Sequence, residues 1–192
     1  MPASSKDQQY LQNLVSAERP ARMLGLFTGH AMKPPDLQRL VNACAGSMRE
    51  DDANASLTLA QLGDATVTWR LTVVEGTESP PHDCLVQLYD LRDPASPHRA
   101  LLDHVGKMDD ELSAAASHLQ QTAQTFLTLA SGKLDAKERV HAFQNLVALF
   151  TSALGAAIVD PAAAIVTTDP AEWADAMEQS LALEQEMGML KR

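Results

Sequence analysis

The sequence predicts a single α+β domain spanning residues 1–192, in which helices cover one face of an antiparallel or mixed sheet of four to five strands. Apolar and polar residues alternate over residues 65–74, which is typical of a half-buried strand. A continuous apolar run at residues 23–28 indicates an interior strand, and the three- and four-residue spacing over 140–154 indicates a helix. A ferredoxin-like arrangement with additions is one candidate topology.

The N-terminal part of the chain predicts a helix, a strand and a second helix. Residues 1–20 are expected to hold a peripheral helix over 6–18, before the interior strand at 23–28. Pro34 and Pro35 are typical of a helix start, and the acidic residues 50–52 end the second helix. The apolar stripe of this second helix is Leu37, Leu40, Val41, Cys44 and Met48.

The middle of the chain predicts a β-hairpin followed by one more strand. Residues 57–62 and 65–74 flank Gly63-Asp64, where glycine supplies the positive φ of a type II′ turn. In the second strand, Val67, Trp69, Leu71 and Val73 point to one face. Residues 84–89 form the next strand, and residues 98–105 fit either a short helix or an ordered connection.

Two consecutive helices are predicted to follow and to pack as an antiparallel pair, because only a few residues join them. The first begins at Asp109 or Asp110 and runs to Ala130 along a wide apolar stripe. The second covers residues 137–154, with Asp135 and Glu138 as a capping box and Gly155 as the C-cap.

The last quarter predicts one or two short buried strands and a final helix. Residues 156–159 and 163–167 contain β-branched residues, and Asp160-Pro161 and Asp169-Pro170 bound the second run. Residues 169–192 form an amphipathic helix with Asp169 as N-cap, Pro170 at the first position and Glu172 completing a capping box.

The final helix also holds the candidate contact residues. An apolar stripe runs along it and is rimmed by acidic residues, a pattern typical of helices that bind other proteins. The members of this stripe are Trp173, Met177, Leu181, Met187 and Leu190. The alternative, that the stripe packs on the protein's own sheet, is stronger for residues 173–181 than for Met187 and Leu190.

The composition excludes several classes of function. With 25 acidic against 15 basic residues and a net charge of −10, the surface would repel nucleic acids and anionic membranes but attract a basic protein. The six histidines and two cysteines lack metal-ligand spacing, and the nine glycines build no phosphate-binding loop. Cys44 and Cys84 are expected to be buried, reduced thiols. No cofactor, metal ligand or catalytic residue is therefore predicted.

These observations favour a non-catalytic protein-interaction module of a bacterial cytoplasm, of an adaptor, immunity-type or chaperone-like kind. Its partner would be another protein or a second copy of itself, as a homodimer. No apolar leader or membrane span occurs in the sequence, which predicts a cytoplasmic location. The alternative is a small-ligand-binding domain with a pocket between the sheet and the helix pair, where Trp69 and Tyr89 form the walls and Arg70 or Arg92 holds an anion.

Overall fold

The computed structural model describes residues 22–62, 68–94, 96–132 and 134–190, and within them the chain forms a seven-stranded antiparallel sheet and five helices. The expected helix over residues 6–18 and the Gly63-Asp64 turn lie outside these ranges. The strands are β1 (Arg22–Thr28), β2 (Ser56–Gln61), β3 (Thr68–Val74), β4 (His82–Asp90), β5 (Thr125–Ser131), β6 (Ala157–Asp160) and β7 (Ile165–Thr167). The helices are α1 (Pro34–Asp51), α2 (His98–Val105), α3 (Asp110–Thr122), α4 (Lys137–Leu154) and α5 (Pro170–Leu190).

The strand order is β2-β3-β4-β5-β1-β6-β7, and every neighbouring pair is antiparallel. Consequently β1 and β2 run in one direction, and β5 and β6 both run in the other. Helix α1 therefore connects two parallel strands, β1 and β2, and helix α4 connects two parallel strands, β5 and β6. The two starting strands are antiparallel to each other, and the two connections move towards opposite edges of the sheet. Crossovers of the same handedness then place both helices on the same face, where they contribute to one core.

Helices cover both faces of the sheet, whereas one covered face was predicted. The α1, α4 and α5 helices enclose the larger core against the inward residues of β1–β6. The α2 and α3 helices enclose a smaller core around Phe27 and Phe126 on the other face. They can do so because they join β4 to β5, which are antiparallel neighbours and need no crossover. The α+β class is confirmed, but the sheet is larger than expected and its order does not confirm a ferredoxin-like arrangement.

The largest correction concerns the helix predicted to run to Ala130. Helix α3 begins after Asp109, whose carboxylate accepts a hydrogen bond from the Leu112 amide at 2.8 Å, but it ends at Thr122. Residues 125–131 form β5, which pairs with β4 and β1 and is buried on both faces. Because both faces of an interior strand are apolar, β5 shows no alternation, and neither Gly nor Pro separates it from α3. The predicted antiparallel helix pair is therefore wrong.

The boundaries of α4 are partly as predicted. Gly155 ends the helix with φ = 56°, in the left-handed region that favours glycine. The N-cap is Ala136, however, with no side-chain capping bond, and Asp135 instead pairs with Arg139 at 3.0 Å. The expected capping box between Asp135 and Glu138 is not formed.

A glycine in β1 allows the aromatic residues of the smaller core to approach. The Phe27 and Phe126 rings stack with centroids 4.6 Å apart, and Phe126 also stacks on Tyr89 at 6.0 Å. A Cβ atom on Gly25 would overlap the Phe126 ring and lie 3.0 Å from Leu101. We expect Gly25→Ala to lower the free energy of unfolding by about 1–3 kcal/mol, because the buried ring must move to make room.

Urea denaturation of the Gly25→Ala variant measures this loss. Gly46→Ala is the matched control, since a Cβ atom there meets nothing within 4 Å on the exposed side of α1. Alanine is the better helix former, so this control should gain up to about 1 kcal/mol. Equal effects at the two glycines would contradict the proposed overlap.

Candidate functional site

The predicted contact stripe divides into a buried half and an exposed half. Trp173 and Met177 are fully buried in the larger core, and Leu181 packs against that core while remaining partly exposed. Met187 is 56% exposed. The Leu190 side chain lies outside the part that the structure describes. The first half of the stripe thus belongs to the core, and the second half, as far as it is described, faces solvent.

The beginning of α5 is held in the way its sequence predicts. The Asp169 carboxylate accepts a hydrogen bond from the Ala171 amide at 2.9 Å, and Pro170 occupies the first helical position. The predicted capping box differs in one partner, because the Asp169 amide donates to the Thr167 hydroxyl at 3.0 Å and Glu172 bonds to that same hydroxyl. These contacts set the direction in which α5 leaves β7.

A buried carboxylate, Asp160 at the end of β6, fastens α5 to the sheet. Its Oδ2 accepts the indole N–H of Trp173 at 2.9 Å and the Nε–H of Arg22 at 3.3 Å. Its Oδ1 accepts the amides of Ala162 and Ala163 at 3.0 and 3.1 Å. Asp160 is completely buried, so these four donors replace the water that its charge has lost. The sequence signal, an aspartate before Pro161 in an apolar run, indicated only a strand boundary.

Arg22 extends this network to the second half of α5. Its Nη1 donates to the Ser180 hydroxyl at 3.1 Å and to the Glu184 carboxylate at 3.2 Å. Its Nη2 is buried and has no hydrogen-bond partner among the described residues. The network holds one cation between two carboxylates, so an anionic ligand would meet repulsion there. We interpret the cluster as the structural attachment of α5 and not as a binding site.

A groove lies between the beginning of α4 and the middle of α5. Its volume is about 730 Å³, and the Gln144 amide bridges its two sides by donating to Glu178 at 3.0 Å. The groove is lined by Leu134, Asp135, Ala136, Lys137, Glu138, Val140, His141, Gln144, Glu178, Leu181, Ala182 and Gln185. Its walls therefore combine apolar side chains with an acidic rim. Leu181 is the member of the predicted stripe that reaches into it.

The end of α5 is exposed, and its apolar side chains lie on the side of the helix opposite to the residues that line the groove. Every residue from 182 to 188 is exposed, and Leu183 and Met187 are 59% and 56% exposed. These two side chains lie four residues apart, so they share one side of the helix. The α4 wall was not predicted as part of a site, because Val140 and His141 lie in a helix whose periodicity indicated only core packing.

The charge around this surface has one predominant sign. Between residues 140 and 190 the sequence contains seven Asp and Glu residues and neither Lys nor Arg. Lys137 is the basic side chain that lines the groove, against Glu138 and Glu178, whereas Asp135 is paired with Arg139 at 3.0 Å. A ligand that brings positive charge would therefore be attracted here, and an acidic one repelled.

Reactive groups of other kinds are buried where the structure describes them. The His82 and Ser131 side chains form a hydrogen bond of 3.0 Å, but they are only 5% and 0% exposed, so no substrate can reach them. Cys44 and Cys84 are free and buried, as predicted, and burial raises the pKa of Cys44 to about 11. Among the described residues, no group of three His, Cys, Asp or Glu side chains could hold a metal ion.

The ligand pocket considered from the sequence is not formed as expected. Trp69 lies in the larger core, whereas Tyr89 packs on Phe126 at the opposite face of the sheet, so the two cannot line one cavity. Arg92 is held by Asp90, with contacts of 3.0 and 2.7 Å to its two carboxylate oxygens. The pocket also required the predicted helix pair, whose first helix was expected to include residues 125–130, which form β5 instead.

Comparison with known proteins gives no further guide to function. No family model matches the chain, and neither a curated protein nor a solved structure matches it. Among the described helices, none combines the length and the apolar character needed to cross a membrane.

Proposed function

We propose that this protein is a non-catalytic interaction module that binds a basic, amphipathic helix of a partner protein in the groove between α4 and α5. The observation that carries the proposal is the groove itself, in which apolar side chains from both helices are bordered by Glu138 and Glu178. Adaptor, immunity-type and chaperone-like proteins can all act through such a contact.

The dimensions of the surface suit a helix. From Glu178 to Gln185, α5 offers seven residue steps, or about 11 Å, which corresponds to about two turns of a partner helix lying alongside. Helix-in-groove recognition uses apolar anchors spaced three to four residues apart. Leu181 of α5 and Val140 of α4 line the groove and can contact such anchors.

The charge of the surface favours a basic partner over a second copy of this chain. Glu178 and Glu138 border the groove, and Glu186 is exposed near its open end. A second copy carries the same acidic surface and the same net charge of −10, so self-association at this position would bring like charges together.

The proposal can be tested with a synthetic probe: an 18-residue helical peptide of leucine and lysine, with the leucines on one face. We expect measurable binding by fluorescence anisotropy, which weakens as the salt concentration rises. The same peptide with glutamate in place of lysine should not bind. Equal binding of both peptides would contradict the charge argument. A dimer of the chain at micromolar concentration, lost on Ala182→Arg, would show that a second copy occupies the groove.

Paired variants locate the binding surface. Ala182→Arg places a bulky cation in the groove, whereas Ala114→Arg makes the same change at an exposed position of α3. Met187→Ser, at an exposed position on the side of α5 opposite to the groove, is a second control. We expect Ala182→Arg to weaken peptide binding about tenfold, equivalent to about 1.4 kcal/mol, and both controls to bind as the wild type does. Equal losses in Ala182→Arg and Ala114→Arg would refute this location.

A further inference from the structure

His82 is a buried histidine that contacts residues on both sides of the chain segment that forms the α4 wall of the groove. It begins β4 and is 5% exposed, on the face of the sheet that α4 covers. One ring nitrogen, Nε2, lies 3.0 Å from the Ser131 hydroxyl, and the ring meets Phe143 edge-on with centroids 6.3 Å apart. Ser131 ends β5, and Phe143 lies in the second turn of α4.

These two partners bracket one wall of the groove. The wall consists of residues 134–138, Val140 and His141, which follow Ser131 in the chain and precede Phe143. His82 therefore contacts the chain on both sides of the wall. A change that breaks the His82 contacts would therefore loosen the attachment of residues 134–141 at both ends of this segment.

The charged groups around His82 come from three elements. Arg139 of α4 opposes a positive charge on the ring, whereas Asp83 of β4 and Glu75, which precedes β4, favour it. Glu75 is already engaged, since it accepts a hydrogen bond from the Asn145 side chain at 2.8 Å. Burial lowers the pKa of His82, and Arg139 lowers it further, against the weaker opposing effects of Asp83 and Glu75.

We propose that His82 is a pH-sensitive support of the groove: when the imidazole takes up a proton, residues 134–141 loosen and the groove loses its α4 wall. The inference rests on the proposed function only for its biological consequence, namely release of the partner helix in mild acid. Loosening lets the charged ring reach water and move away from Arg139.

The sign of the effect follows from the direction of the pKa change. A histidine exposed by opening titrates near 6.5, above its value in the closed protein. The closed form is therefore fully favoured above about pH 6.5. Below that pH, opening becomes up to tenfold more favourable per pH unit, until the lower pKa of the closed form is reached.

Hydrogen exchange of the protein alone tests the inference without any partner. The reporters are the amides of Arg139 and Val140, which both donate to the Ala136 carbonyl at 3.1 Å in the first turn of α4. After correction for intrinsic exchange rates, their protection should fall at least threefold between pH 7 and pH 5. The Ser113 amide, bonded to the Asp109 carbonyl in α3, should keep its protection within twofold.

Three variants identify the titrating group. His82→Gln keeps a hydrogen-bonding side chain that cannot take up a proton, so the protection of the Arg139 and Val140 amides in this variant should not depend on pH. His118→Gln, at an exposed position of α3, and His141→Gln, on the groove wall, should both retain the wild-type response. Loss of the response in His141→Gln, or its persistence in His82→Gln, would overturn the inference.

A measurement on the wild-type chain remains decisive if His82→Gln fails to fold. The His82 ring protons should titrate by NMR below pH 6.5, and a value at or above 6.5 would overturn the inference. Equal loss of protection in α3 and α4 would also overturn it, because the whole fold and not one wall would then be opening. Peptide binding that fails at every pH contradicts the proposed function and leaves these exchange results intact.

Discussion

Replacing Asp160 by asparagine is expected to lower the free energy of unfolding by about 3–5 kcal/mol. The carboxylate is completely buried and accepts four hydrogen bonds, two of them from Arg22 and Trp173. If the asparagine amide nitrogen took the Oδ2 position, its N–H groups would face the N–H groups of Arg22 and Trp173 and no acceptor. Arg22 would also be left as a buried cation without its buried counterion. Because domains of this size are stable by about 5–15 kcal/mol, the loss should be large.

Chemical denaturation followed by circular dichroism measures the Asp160→Asn effect. Asp135→Asn is the matched control, because Asp135 is half exposed and pairs with Arg139 across one turn of α4. Its effect should stay within about 0.5 kcal/mol, as for other exposed helix pairs. A loss below 1 kcal/mol at Asp160 would show that the buried network does not hold α5 to the sheet.

Replacing Trp173 by alanine is expected to cost about 3–5 kcal/mol, because the largest fully buried side chain would leave a cavity. The ring packs edge-on against Phe143 with centroids 5.9 Å apart, and its N–H is the direct link to Asp160. The milder Trp173→Phe change keeps an aromatic ring but removes that donor, and should cost about 1–3 kcal/mol.

Leu183→Ala on the same helix is the control for Trp173, since Leu183 is 59% exposed and its loss should stay within about 0.5 kcal/mol. Because Trp173 and Asp160 share a hydrogen bond, the double variant should lose less than the sum of the two single changes. Equal stability effects at positions 173 and 183 would mean that α5 is not divided into a core half and a surface half.

This division explains why one stripe has two roles. Trp173 and Met177 lie where α5 crosses the larger core, and Asp160 holds that part of the helix in place. Beyond Leu181 the helix has passed the core, and Leu183 and Met187 face solvent. A helical pattern reports which residues share a side, but it does not report what covers that side.

The parts of the fold that could be predicted carry local signals. Asp169 and Pro170 start α5, Gly155 ends α4, and the alternation around Trp69 identifies β3, because each signal depends on a few neighbouring residues. Strand β5 carries no such signal. Its continuous burial between β4 and β1 removes the alternation that would distinguish it from a helix, and the missing strand changed the strand number and created a helix pair that does not exist.

Only part of the candidate site could be predicted from the sequence. The acidic character of residues 140–190 and the apolar side of the last helix are properties of composition and spacing, so both could be read directly. The opposite wall of the groove could not, because Leu134 and Val140 come from another element and gain their role only where α4 meets α5.

The amino-acid sequence alone thus determined the start of α5, the end of α4, the strong alternating strand and the sign of the net charge, since these depend on nearby residues and on sums. Tertiary structure decided the strand order, the two covered faces and the contact of Arg22, Asp160 and Trp173. The Arg22–Asp160 contact joins residues 138 positions apart, and its energy arises only when burial removes water from all partners together.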